Sequence, residues 1–263
     1  MRFRLPAFLE NVETPVEGET LLRRFVADPA SVGGEETLDL FSLAETGARK
    51  NVVVVGIDEV GRGPLAGPVV ACAAVLKASD IMPELNDSKK LTRKKREAMF
   101  DAVKDACACY AIASASVEEI DRLNILEADF LAMRRALQAL GMPGLDAPLP
   151  EIPLEVKSSF AEVSGSPVPY VFVAVDGNLK IRGVPAEMQM PIVKGDGRIS
   201  SISAASILAK VFRDRFMDKL AEEYPGYAFE VNAGYGTKAH LDGIRKFGFT
   251  PAHRKSYHPK GLE

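Results

Sequence analysis

Apolar positions along the chain follow two different periods. Val52 to Val55 and then Ile57 form a continuous apolar run that ends at Asp58-Glu59 and a glycine-rich turn, the pattern of a central strand buried on both faces. Residues 68–76, PVVACAAVL, predict its neighbour, and so short a connection forces the two strands to run antiparallel. Further strands are predicted at Tyr110 to Ala115, at Tyr170 to Val175 and in MPIVKGD, the last ending at Asp196. Helices are predicted from Thr92 to Cys109, from Ser116 to Leu140 and from Thr237 to Phe247. Ser116-Val-Glu-Glu119 fits a capping box at the start of the second, and Gly248 closes the third. From Ser200, the apolar positions Ile202, Ala205, Ala209, Phe212, Phe216 and Leu220 recur at spacings of three and four, so one long amphipathic helix reaches Glu223 and stops before Pro225. Early strands with helices on their flanks predict an α/β domain on a mixed sheet.

Outside this frame, residues 1–49 are Glu-rich, interrupted by Pro and Gly, and weakly periodic, which predicts a flexible N-terminal extension with one short helix around Thr20 to Val26. The segment 143–168 carries five prolines and is expected as a surface insertion in a domain spanning 50–226. With 263 residues, 47% of them hydrophobic, the chain can bury one large core. It has no apolar run of membrane-spanning length, and MRFRLPAFLENVETP lacks the apolar centre of a signal peptide, so a cytoplasmic protein without a membrane partner is expected. Three cysteines make no disulfide framework, and Cys107-Ala-Cys109, placed in the predicted helix, is too short a set for zinc. All three read as small core residues. Nothing in the pattern demands a dimer, and a monomer is expected.

Charge changes the picture locally. The net charge is only −3, yet residues 89–96, KKLTRKKR, hold six cations in eight positions, and IRKFGFTPAHRKSYHPKG adds Arg245, Lys246, Arg254, Lys255 and Lys260. Either run alone reads equally well as a solvated face; two of them in a mildly acidic chain point to a localised anionic partner.

Acids recur where strands end. Asp58 and Glu59 follow the first strand, Asp176 ends VFVAVD before Gly177, and Asp196 lies in IVKGDGR. Asp before Gly, as at Asp176 and Asp196, is ordinary turn chemistry, and an acid pair such as Asp58-Glu59 also occurs by chance, so the repetition is what carries the argument. Should these strand ends share one edge, four carboxylates meet, and like charges so close raise one another's pKa values unless compensated. A hard, oxygen-only donor set selects Mg²⁺ or Mn²⁺ over zinc, and two such ions about 4 Å apart are an arrangement that cleaves phosphodiesters. The turn GRGPLAG is no dinucleotide fingerprint, because Gly61, Gly63 and Gly67 miss the G-x-G-x-x-G spacing and lead into a strand. Its glycines let backbone approach a ligand's sugar or phosphate.

GIDEVGRGPLAGPVV, LNDSKKLT, IDRLNILEADFLAM, VDGN, VKGD, SAASILAKVFRD, GYGTKAH and HRKSY resemble, in order, the motifs of bacterial ribonuclease HII, over residues 52–257. The resemblance implies a ribonuclease H-like fold with a small helical C-terminal segment, 227–263, that contacts substrate. It implies an endonuclease acting on RNA–DNA hybrids and nicking duplex DNA on the 5′ side of an embedded ribonucleotide, leaving 5′-phosphate and 3′-hydroxyl ends, as ribonucleotide removal requires. Its metal ligands would be Asp58, Glu59, Asp176 and Asp196, holding Mg²⁺ or Mn²⁺. Gly61, Arg62 and Gly63 correspond to the turn that contacts the ribonucleotide and its 2′-hydroxyl, and Tyr235 to a tyrosine that stacks on the following sugar. Lys89 and Lys194, with Lys90, Arg213, Arg254 and Lys255, are expected at phosphates, and His240 and His253 as polar contacts within the C-terminal segment. Where the family commonly has His-Lys, Asn232 and Ala233 stand here, and Gly236 replaces a usual proline, which predicts a looser turn and weaker substrate binding. A hybrid-binding relative with weak catalysis and a broader metal nuclease are the alternatives.

Overall fold

The structure, a computed structural model, describes residues 7–28, 51–77, 91–142, 144–145, 147–149, 154–166 and 169–258. In chain order its elements are α1 (Ala7–Glu10), α2 (Pro15–Ala27), β1 (Val52–Val60), β2 (Val69–Leu76), α3 (Arg93–Ala106), β3 (Cys107–Ala115), α4 (Val117–Leu123), α5 (Ile125–Ala139), β4 (Glu155–Lys157), α6 (Phe160–Ser164), β5 (Tyr170–Asp176), β6 (Gln189–Ile192), α7 (Ser200–Glu223), α8 (Phe229–Asn232) and α9 (Lys238–Phe247). The strands form one sheet in the order β4-β3-β2-β1-β5-β6. β1 to β4 pair antiparallel in succession, whereas β5 runs parallel to both β1 and β6, so the sheet is mixed as expected.

Alternation along β1 divides the core. Val53, Val55 and Ile57 pack on the side covered by α5, with Phe130, Leu131 and Leu137. Val54 faces the other side, where α2 supplies Leu22, Phe25 and Val26 and α7 supplies Ile202. Each such fully buried side chain contributes roughly 1.5–3 kcal/mol, which is why the sheet is sandwiched on both faces. At Gly56 the backbone of α7 comes close: a Cβ there would lie 2.3 Å from the Ile202 amide nitrogen. The first three turns of α7 are buried on all sides, serines 200, 201, 203 and 206 included, so the sequence pattern of one apolar stripe describes only its outer half.

Several boundaries differ from expectation for physical reasons. Cys107 and Cys109 belong to β3, not to the helix before it, and burial in the sheet pushes both thiols up to about 12. The helix expected over Ser116 to Leu140 has its capping box but breaks at Asn124, whose φ of 74° ends α4 while its side-chain oxygen accepts from the Leu126 and Glu127 amides to start α5. The insertion is not all surface: it supplies the edge strand β4 and buries Phe160. The short N-terminal helix is longer than expected, starting at Pro15, and it belongs to the core.

Glu19 shows how firmly. Its carboxylate is fully buried and accepts from the Ser201 amide at 3.1 Å and the Ser201 hydroxyl at 2.7 Å, at the start of α7. Ile199, the residue preceding that helix, offers no side-chain cap, so the cap comes from another element 182 residues away.

Candidate active site

Parallel pairing of β1 and β5 sets Ile57 opposite Val175, so Asp58-Glu59 and Asp176 leave neighbouring strands at the same end. β6 lies parallel on the other side of β5, with Ile192 opposite Asp176. Asp196 follows four residues later, in a 3₁₀ turn of Gly195–Gly197 and not at a strand end as expected, and it is buried. That turn wraps the end of β5: the Gly195 amide donates to Asp176 Oδ1 at 2.6 Å and the Asp196 amide to the same oxygen at 3.4 Å.

Adjacency in a strand sends Asp58 and Glu59 to opposite faces of the sheet. Asp58 turns toward α7, where Lys210 Nζ stands 3.7 Å from its Oδ2 and also donates to Ser206. Burial raises its pKa, Lys210 and a hydrogen bond from Ser206 oppose that, and Asp196 adds repulsion. Glu59 turns toward α5. Burial, then Asp129, Asp58 and Asp176, push its carboxyl well above the glutamate range, while Arg62, 3.6 Å away, pulls it back. The four acids predicted from the sequence therefore act on one another electrostatically at one end of the sheet.

The loop 61–68 beside them, which begins with the Gly-Arg-Gly turn, is held by two buried arginines. Arg254 donates to the carbonyls of Gly61 (2.5 Å), Arg62 (3.1 Å) and Gly67 (2.8 and 2.9 Å). Arg213 donates to those of Pro68, Ala66 and Ala233 at 3.0, 3.1 and 2.9 Å. Both side chains are 1% exposed, so neither meets a phosphate as expected; they hold the turn from below. Gly61 has φ +100°, and a Cβ there would lie 2.4 Å from Arg213 Nε and 2.8 Å from the Pro68 carbonyl oxygen, leaving room for glycine alone. Further bonds from Leu65 to Gly234, Gly67 to Ala252 and Arg254 to Leu65 sew the turn to the C-terminal segment.

Tyr235 is 47% exposed, and its ring edge would touch a Cβ on Gly63 at 3.3 Å, so the tyrosine and the turn share one surface. Its loop is tied, contrary to the looseness expected: the Asn232 amide donates to the Tyr227 carbonyl and accepts from the Gly234 amide, both at 2.8 Å. His240 and His253 lock it further. The Thr250 amide donates to His253 Nδ1, which makes His253 Nε2 the donor to His240 Nε2 at 3.0 Å and His240 Nδ1 the donor to the Tyr235 carbonyl at 2.9 Å. Lys194 is exposed beside Asp196, with a left-handed φ of 56°. Lys255 is exposed too, while Lys89 and Lys90 lie outside the described residues.

Chemically the donor set suits a hard divalent cation: every side chain is a carboxylate, and the repulsion among them calls for positive charge. Among the described residues, however, no three His, Cys, Asp or Glu side chains are gathered into a ready metal cage; Lys210 and Arg62 supply counter-charge. One further acid faces the cluster. Asp129, on α5, is 1% exposed, lies 3.6 Å from Arg62 Nε through Oδ2, and has no hydrogen-bond partner at Oδ1. Burial pushes it up to about 7, against Arg62 and with Asp58. The sequence signal for it was a charged residue on the apolar face of a helix; for Lys210 it was a lysine four residues after Ser206.

Residues 55–144 and 160–260 match the family model described as Ribonuclease HII. The chain belongs to the ribonuclease HII family. Curated ribonucleases HII of Ruegeria sp. (strain TM1040) and Fusobacterium nucleatum subsp. nucleatum are 47% identical over 229 residues and 49% identical over 212, covering 86% and 80% of this chain and 87% of each relative. Among solved structures, the ribonuclease H2 of Pyrococcus horikoshii OT3 is 26% identical with a TM-score of 0.55, covering 78% of this chain and 93% of that one. Bst-RNase HIII in complex with Mn²⁺, 18% identical with a TM-score of 0.58 over 87% of this chain and 72% of that one, shares the fold. Like its ribonuclease HII relatives the protein is a nuclease, a hydrolase with ribonuclease H activity. All four acids, the Gly-Arg-Gly turn and Tyr235 lie inside the matched segments, whereas α2 and its Glu19 lie before them. No helix among the described residues is long and apolar enough to cross a membrane.

Proposed function

We propose that this enzyme nicks duplex DNA on the 5′ side of an embedded ribonucleotide and cleaves the RNA strand of RNA–DNA hybrids, leaving 5′-phosphate and 3′-hydroxyl ends. The observation that carries this is the juxtaposition of acid-bearing strand ends with a glycine turn that Arg254 holds and whose surface Tyr235 shares. Asp58, Glu59, Asp176 and Asp196 would hold two Mg²⁺ or Mn²⁺ ions. Such ions activate water and stabilise the leaving 3′ oxygen. The chain's own residues do the rest. Backbone groups of Gly61, Arg62 and Gly63 meet the 2′-hydroxyl, the only covalent difference between RNA and DNA at that sugar. Arg254 already takes the Gly61 and Arg62 carbonyls and so pre-organises the remaining polar groups of the turn; a deoxyribose leaves those unpaired and is rejected by more than one hydrogen bond's worth. Tyr235, half exposed on the same surface, supplies a face for the adjoining sugar. Lys194 and Lys255 offer exposed cations to the phosphate backbone, and Lys89, outside the described residues, adds a further positive charge from the cationic run.

The test is a labelled duplex with one ribonucleotide, an all-DNA control and an RNA–DNA hybrid, each incubated with the protein in Mg²⁺, Mn²⁺ or chelator. Metal-dependent nicking 5′ to the ribonucleotide is expected. Cleavage of the hybrid with the single-ribonucleotide duplex left intact would restrict the enzyme to longer RNA tracts.

A further inference from the structure

Asp129 is the fifth residue of α5 and sits among Ala128, Phe130, Leu131 and Ala132, all buried. A buried carboxylate is costly unless paired and hydrogen-bonded, yet among the described residues this one has a single long ion pair, at 3.6 Å, to an arginine whose side chain is 46% exposed, and one oxygen with no partner. A purely structural aspartate would be satisfied by a cap or a close pair; Glu119, by comparison, binds Arg135 at 2.6 and 2.7 Å. Asp129 instead lines a cleft of about 60 Å³ together with Glu59, Arg62, Asp176 and Asn178. That volume admits one or two water molecules at about 30 Å³ each.

We propose that Asp129 is a fifth carboxylate of the site, a positioning residue that anchors Arg62 beside Glu59 and whose unpaired oxygen accepts hydrogen bonds from the water carried by the cation at Glu59 and Asp176. The inference rests on the function proposed above. Small divalent cations keep several waters, whose protons need acceptors, and partners of this outer kind typically change metal affinity 10- to 100-fold. Asp129 reaches the cleft from the α5 side of the sheet, the side to which Glu59 points, so it serves that carboxylate and not Asp58, which Lys210 attends from α7.

The experiment is a Mn²⁺ titration of the full chain without nucleic acid, followed by electron paramagnetic resonance, for wild type, Asp129→Asn and Asp129→Ser, with melting temperatures in chelator. Mn²⁺ affinity should fall about tenfold in both variants, with melting temperatures in chelator at or above wild type because a buried like charge is gone. The Mg²⁺ concentration for half-maximal cleavage should rise by the same factor. Wild type binding Mn²⁺ while both folded variants bind equally well would overturn the inference and leave the proposed function standing. Wild type binding no Mn²⁺ would overturn both. Asp129→Ser keeps the test open should the Asn variant not fold, since it removes the charge and admits water.

Discussion

Glu19 lies in a segment that the family match does not cover, and its removal should weaken the active-site end of the molecule. Its Oε2 accepts from Ser201 N and Oγ, and its Oε1 from Arg23 Nε at 2.8 Å. Ser201 is the second residue of the 24-residue α7 and lies five positions after Asp196, so the carboxylate caps the helix that directly follows that acid's turn. Glu19→Ala leaves the Ser201 amide buried without an acceptor, a loss of about 1–3 kcal/mol, and removes a negative charge from a helix N-terminus, about 0.3–2 kcal/mol. The sum is about 3 kcal/mol. Glu19→Gln keeps the shape and one acceptor oxygen and should lose about 1 kcal/mol, mainly the charge. Urea unfolding followed by circular dichroism reads both: the midpoint should fall with the slope unchanged, Ala further than Gln. A Glu19→Ala loss below about 0.5 kcal/mol, the range of an ordinary surface change, would refute the capping argument and return α2 to the status of a dispensable extension.

Gly61→Ala should lower stability by about 2–4 kcal/mol, since a left-handed φ of 100° and a contact of 2.8 Å to the Pro68 carbonyl both oppose a Cβ; an unchanged melting temperature would show that the turn yields. Burial and His240 push His253 down to about 4 from 6.5, so its contribution is fully present above pH 6.5 and is lost as pH falls through 4. That difference is worth roughly 3 kcal/mol, and the stability gap between wild type and His253→Gln should shrink by about that much between pH 7.5 and pH 4. The raised carboxyls of Asp58, Glu59 and Asp129 have the opposite sign: their cost is absent while they are protonated and grows as pH climbs from about 4 past 7, the value to which Asp129 is raised. Added Mg²⁺ should therefore raise the melting temperature more at pH 8 than at pH 5, measured by scanning calorimetry; an equal shift at both would place the ion elsewhere.

The acids were legible because strand ends are written locally: apolar runs closed by Asp58-Glu59 and Asp176 need only parallel pairing to converge. Asp196 was found for a partly wrong reason, since β6 ends at Ile192, Lys194 turns left-handed, and a 3₁₀ turn, not a strand, delivers the side chain. What stayed hidden depends on distant contacts. Arg213 and Arg254 read as surface cations because nothing local says that the carbonyls of a turn some 150 to 190 residues away will consume their donors. Asp129 and Lys210 are likewise ordinary helix residues until the helices pack on opposite faces of the sheet. Asn232 read only as a departure from the family's usual histidine, yet its side-chain amide closes the loop before Tyr235. The Glu-rich composition of the N-terminal segment concealed Leu22, Phe25 and Val26, which are spaced to bury one face of α2, and Leu9 of α1 beside them.

The central claim is that the acid cluster and the Gly-Arg-Gly turn work as one device, chemistry at the carboxylates and sugar recognition beside them. Single-turnover nicking of a duplex carrying either one ribonucleotide or one 2′-fluoro nucleotide at the same position, in saturating Mg²⁺, tests it most directly, because fluorine keeps the sugar but donates no hydrogen bond. The account predicts nicking 5′ to the ribonucleotide and a rate lower by about a hundredfold or more at the fluoro position, the size expected when buried polar groups of the turn are left unpaired. Equal rates at both positions would contradict it.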